Sequence, residues 1–132
     1  AKVDEGPGEI VAFAEEMPRF PNSDCEDLPS IAEKKACADQ KLLEFIYKHI
    51  KYPAIARENG IEGTAVITFV VEKDGTVTDA RVIREPGGQC GQEALRVVNL
   101  MNDKQLRWKP GKQRGRPVRV QFNLPVKFKL EN

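Results

Sequence analysis

The chain has 132 residues, a length at which one compact domain is the natural expectation and a real core can be buried without metals or many cross-links. Hydrophobic residues make up 40% and charged residues 31%, an ordinary balance for a globular protein, and no apolar run approaches the ~18 residues of a membrane-spanning helix. The net charge of +1 hides an asymmetry, because acids outnumber bases in residues 1–50 and bases outnumber acids from residue 51 onward. The basic part suits either a solvated surface or an anionic partner.

Residues 1–30 carry Pro7, Pro18, Pro21 and Pro29 among many acids, which predicts extended, irregular chain. Met17 and Phe20, and with them Ile10, Val11 and Phe13, are available to pack against the rest of the domain. Cys25 and Cys37 flank the acidic stretch CEDLPSIAEKKAC. An oxidising compartment would staple that loop and a reducing one would leave two thiols, and the spacing leaves both open. The absence of any C-x-x-C pair argues against a zinc ribbon or a thioredoxin-like site.

Residues 38–51 predict a helix, with Asp39 near its start and Leu42, Leu43, Ile46 and Ile50 on one apolar stripe. Pro53 ends it and can open a second short helix, which Gly60 closes. Residues 63–72 alternate as a strand, with Ala65, Ile67, Phe69 and Val71 on one face. Asp74-Gly75 is a hairpin turn and residues 76–84 return as its partner. Residues 92–102 predict a helix with Ala94, Val97, Val98 and Met101 inward. After a basic loop, Val118, Val120, Phe122 and Leu124 alternate with Arg119, Gln121 and Asn123 as a final strand.

That order predicts an α+β fold, with a three-stranded antiparallel sheet and two main helices packed on one face. Residues 1–38 are expected to form an irregular acidic segment with a Cys-bearing insertion, and residues 39–132 the folded domain.

Few residues point to catalysis. His49 is the single histidine, and Ser23 and Ser30 lie in the irregular segment, outside any nucleophile-elbow pattern. Cys90 lies in a glycine-rich loop before a helix, where a nucleophile is conceivable and a packing role is expected. Gly87, Gly88 and Gly91 fit neither a P-loop nor a dinucleotide fingerprint. Arg107, Lys109, Lys112, Arg114, Arg116 and Arg119 surround Trp108, yet a lone aromatic in a nearly neutral chain argues for a core tryptophan, not a base-stacking platform. No enzyme, metal, cofactor or nucleic-acid partner is expected.

The residues also carry a resemblance. YPAIARENGIEGTAVITFVVEKDGTVTDARVI has Tyr52-Pro53, a short helix, Gly60, Glu62-Gly63, an alternating strand, Asp74-Gly75 and a second strand. With EALRVVNLMN, the turn WKPG and the final strand, this order resembles the TonB C-terminal domain family over about residues 43–130. The upstream MPRFP is similar to the Bacteroidetes-type members. The departure is residues 22–38, an insertion bearing both N-terminal cysteines.

The resemblance implies a periplasmic module of an energy transducer, anchored to the inner membrane by a helix upstream of Ala1 and paired there with an ExbB–ExbD-like motor. Its partner would be the TonB box of outer-membrane TonB-dependent receptors, SusC-like receptors included, bound by strand addition to the last strand. That nominates Tyr52, Pro53, Arg116, Val118, Arg119, Val120, Gln121, Phe122, Asn123 and Leu124 as receptor-peptide residues. In a periplasmic protein Cys25 and Cys37 are expected to form a disulfide. A strand-exchanged homodimer is a further expectation from the same edge. The alternative assignment is an interaction module of a membrane-anchored sensor or peptidase.

Overall fold

The computed structural model describes residues 8–131. Its elements are β1 (Ile10–Val11), α1 (Ser23–Glu26), α2 (Ile31–His49), α3 (Ala54–Glu58), β2 (Gly63–Val71), β3 (Val77–Arg84), α4 (Cys90–Asp103), β4 (Gly111–Gln113) and β5 (Arg116–Phe128). The class is α+β, as the sequence predicts, but the sheet has five strands and not three. The main path runs β1-β5-β2-β3, and β4 pairs with the start of β5.

The long central pair is β2 against β5. It runs antiparallel in unbroken register from Gly63 opposite Phe128 to Val71 opposite Val120. β3 folds back on β2 through the Asp74-Gly75 turn, where Gly75 takes φ 86° and the Asp74 carboxylate accepts the Thr76 N–H at 3.0 Å. Ala65, Ile67, Phe69 and Val71 face inward, against Ala38, Leu42 and Ile46 of α2 and Ala94, Val97, Val98 and Met101 of α4.

α2 begins at Ile31, seven residues before the predicted start. Ser30 caps it, accepting the Glu33 N–H at 3.1 Å while donating its hydroxyl to the Glu33 carboxylate at 2.9 Å. Asp39 is therefore no cap; it sits inside the helix and pairs with Lys35 at 2.7 Å. The helix crosses the boundary expected at residue 38. Pro53 precedes α3 as its cap instead of opening its first turn.

The N-terminal segment is short of regular structure but folded onto the domain; its part before Gly8 lies outside the described residues. Phe20 is buried against Phe45 and Trp108, with ring centroids 5.5 and 5.8 Å away. Backbone bridges tie Glu16 to Lys112 and Arg19 to Lys109. Arg19 grips Glu26 through two hydrogen bonds of 2.7 and 2.8 Å, which holds the Glu26 carboxyl below its ordinary range. Cys25, fully buried, is joined to Cys37 with Cα atoms 5.5 Å apart. The disulfide thus fastens α1 to the front of α2.

A cross-link closing so short a loop contributes ~3 kcal/mol in the chain-entropy model. In a domain of this size that corresponds to a melting shift on the order of 10 °C. The double variant Cys25→Ser/Cys37→Ser is expected to melt lower by about that much in a calorimetric scan. An unchanged midpoint would mean that the capped front of α2 is already as ordered without the bond.

Candidate functional site: an open edge on the last strand

Along an antiparallel strand, backbone groups point alternately to one neighbour and the other, with period two. The Lys127 N–H donates to the Tyr47 hydroxyl at 3.0 Å, so residue 127 faces away from β2. Because the β2 register has no break, Gln121, Asn123 and Pro125 also turn their backbone groups to that outer edge. Val120, Phe122, Leu124, Val126 and Phe128 bond to β2 and send their side chains to the core side. Pro125 is tolerated in mid-strand for this reason: the N–H it lacks would have pointed away from the ladder.

The outer edge is only partly free. β1 lies on it in parallel, with Ile10 opposite Arg119 and Val11 opposite Val120. Arg119 fastens this strap, donating to the Gly8 carbonyl at 2.9 Å and to the Glu72 carboxylate at 2.7 and 3.0 Å. Arg119 in turn keeps the Glu72 carboxyl below its usual range. Upstream, Val118 and Arg116 pair with Gly111 and Gln113 of β4. What remains open among the described residues lies between Val120 and Lys127, where the Asn123 N–H and C=O and the Pro125 carbonyl have no strand partner.

A groove follows this stretch. Phe122 and Asn123 belong to both of its halves. One half, of about 340 Å³, is walled by Ala12, Phe13 and Met17. The other, of about 200 Å³, lies between Leu42 and Leu43 of α2 and Leu124 and Pro125 of β5. Exposed apolar side chains line it, Phe13 at 85% and Leu43 at 44% exposed, and Tyr47, also 44% exposed, stands at the Lys127 end of the stretch. Such a concentration of uncovered apolar surface beside unpaired backbone is the arrangement that strand-adding peptides use.

The nominated residues divide accordingly. Gln121, Phe122, Asn123 and Leu124 line the open stretch. Arg116, Val118, Arg119 and Val120 lie on backbone already covered by β4 and β1, so they are not part of the free edge. Tyr52 and Pro53 stand elsewhere. The Tyr52 hydroxyl donates to the Ile61 carbonyl, its ring meets Phe128 edge-on at 5.7 Å, and desolvation pushes its hydroxyl pKa up. With Lys51, Gln89, Glu93 and Arg96 they line a separate cleft of about 620 Å³. Sequence reasoning does not nominate Phe13, Leu43, Tyr47 or Lys127. Leu43 leaves a trace in the sequence as one apolar residue too many on the helix stripe, and Phe13 as an apolar residue in an acidic segment.

The other candidates resolve into structure. Cys90 is buried at the start of α4 and burial pushes its thiol up, which removes it as a nucleophile. The glycine-rich entry to α4 is tied down by its own chain: the Glu85 carboxylate accepts the Gly87 N–H at 2.8 Å and the Gly91 N–H at 2.9 Å. His49 bonds the Phe45 carbonyl within its own helix. Trp108 is buried among Phe20, Phe69 and Phe122. No cluster of metal-ligating side chains occurs among the described residues, and no described helix is long and apolar enough to cross a membrane.

Fold and edge together define a class, a small α+β domain whose sheet ends in β3 on one side and leaves a short stretch of its last long strand open on the other. The chain belongs to the family described as Gram-negative bacterial TonB protein C-terminal, whose sequence pattern matches residues 48–130. It is 33% identical over 81 residues to Protein TonB of Vibrio cholerae, covering 61% of this chain and 32% of that protein. The chain thus spans about a third of the length of the curated relative it matches. Two solution structures of the Helicobacter pylori TonB C-terminal domain share the fold. One has a TM-score of 0.53 at 23% identity, covering 70% of this chain and 94% of that one. The other has a TM-score of 0.57 at 20% identity, covering 83% and 91%.

Proposed function

We propose that this domain is the receptor-binding part of a TonB-like energy transducer in the periplasm, and that it captures the TonB box of an outer-membrane receptor by strand addition to β5. The observation that carries the reading is the unpaired backbone between Val120 and Lys127, flanked by an apolar groove. An extended peptide laid there gains main-chain hydrogen bonds to Asn123 and the Pro125 carbonyl and covers Phe13, Leu43 and Tyr47. Ladder bonds lie across the strand direction, so a pull along the strand loads several together. Transmission of force from an inner-membrane anchor and an ExbB–ExbD-like motor would act through that ladder. Family membership supports the transport role, and SusC-like receptors are among the proposed partners.

The test is a titration of the isotope-labelled domain with synthetic TonB-box peptides, followed by NMR. Shifts are expected on residues 121–127 and on Leu43 and Tyr47, with Tyr52 and Pro53 little moved. Shifts centred on the Tyr52 cleft would relocate the site, and none at millimolar peptide would refute the proposal.

A further inference from the structure

The half of the groove beside α2 has features that an edge strand alone does not require. Of its α2 wall, Lys35 lies in the Cys-bearing segment, and Asp39, Leu42 and Leu43 follow on the same helix. The Ser30 side-chain cap starts the helix early, and the disulfide to buried Cys25 pins its second turn. Lys35, two residues from Cys37, then sits with its ammonium 5.6 Å from the centre of the Phe122 ring. The Lys35 ammonium also pairs with Asp39 at 2.7 Å, so the two charges on this wall neutralise each other. Leu42 and Leu43 of the helix and Leu124 and Pro125 of the strand complete the lining. The space of about 200 Å³ is open to solvent along the free edge and has room for one large side chain.

We infer that this pocket selects the peptide: an aliphatic side chain of the added strand, on the α2 side and beside Asn123–Pro125, seats against Leu42 and Leu43. The inference rests on the strand-addition reading and adds the chemistry that the site accepts. Side chains of an added strand alternate between the two faces of the sheet, so one residue in two is directed at α2. A carboxylate there would leave its water shell for an apolar wall whose one ammonium, Lys35, is already paired with Asp39, which disfavours it. A small side chain would leave Leu43 uncovered. A branched aliphatic group fills the space and needs no hydrogen-bond partner. The pocket is continuous with the unpaired edge through Phe122 and Asn123, so one extended segment occupies both. The Cys25–Cys37 bond steadies the front of that helix, as a selective pocket requires of its wall.

The test uses the whole 132-residue chain and synthetic TonB-box peptides in which each residue in turn is changed to alanine and to aspartate. One position is expected to lose about tenfold in affinity when its aliphatic residue becomes alanine, the low end for a truncated group in an apolar pocket, and more when it becomes aspartate. The domain variant Leu43→Gln keeps helix propensity at a half-exposed site. It is expected to bind the parent peptide about tenfold more weakly and to lose discrimination at that one position. Ile55→Gln, on α3 and equally exposed, is expected to behave as the unchanged chain. Peptides that bind with shifts on residues 121–127 but tolerate alanine everywhere would overturn the pocket and leave strand addition standing. Discrimination that survives Leu43→Gln would do the same. Failure of every peptide to bind the unchanged chain would overturn both.

Discussion

Replacing Asn123 with proline is expected to leave the domain folded and to weaken peptide capture by about tenfold or more. Strand parity decides which backbone groups reach the edge. Asn123 lies opposite Thr68, four residues from Lys127, so its N–H points to the open edge and not to β2. Pro125, two residues on and opposite Val66, shows that the strand accepts a proline at this parity without a break in register. Phe122, the residue before the substitution, is already in extended strand geometry, which is what a following proline demands. An added strand would lose one ladder bond, about 1 kcal/mol net, and would also meet the pyrrolidine ring at the point of closest approach. Leu124→Pro supplies the contrast: its N–H belongs to the β2 ladder, so that variant is expected to unfold. Thermal melts and peptide titrations on both variants decide the matter. If Asn123→Pro unfolds as Leu124→Pro does, the edge assignment is wrong. If it folds and binds at full affinity, the peptide does not use this edge.

The elements legible in the sequence are those that carry their own periodicity. β2, β3 and β5 alternate over eight residues or more, and the Asp74-Gly75 turn fixes the hairpin between the first two. α4 has four inward residues at helical spacing. The elements that sequence reasoning misses have no such signal. β1 is two residues long and β4 three, and each exists only because a partner distant in sequence fixes it. The front of α2 is hidden differently. Its Ser30-x-x-Glu33 box is a legible start, but Pro29 and the flanking cysteines make the stretch read as a loop, and residues 31–37 add no apolar stripe of their own. The candidate site is legible to the level of the strand and no further. Which half of β5 is open depends on β1 and on Tyr47, neither of which can be placed beside it from the chain alone. Leu43 reads as core because it adjoins Leu42 on the stripe; the helix turns it to the rim of the groove.

Trp108→Ala is expected to be strongly destabilising, at about 3–5 kcal/mol, because it empties the junction between the N-terminal segment, the sheet and the β4–β5 hairpin. The indole meets Phe20 at 5.8 Å, Phe69 at 5.6 Å and Phe122 at 5.2 Å, all near edge-on, so three rings lose a neighbour at once. Its backbone is fixed as firmly as its ring. The Trp108 N–H donates to the Gly75 carbonyl at 2.9 Å, and a Cβ at Gly75 would collide with the Trp108 carbonyl, where no flexible side chain can yield. The cavity left by alanine therefore has little freedom to collapse, which places the cost towards the upper end of that range. Trp108→Phe is expected to cost much less: it keeps most of the buried ring and removes an indole N–H that has no hydrogen-bond partner among the described residues. Urea unfolding of the two variants reads this directly, and equal losses would show that the indole's bulk is not what the site uses. The same variants connect stability to function. Phe122 is held between Trp108 and the ammonium of Lys35, and it forms the floor shared by both halves of the groove. With alanine at 108 that ring is free to sink towards the vacated space. Peptide affinity is then expected to fall even at temperatures where Trp108→Ala remains folded, whereas Trp108→Phe retains it.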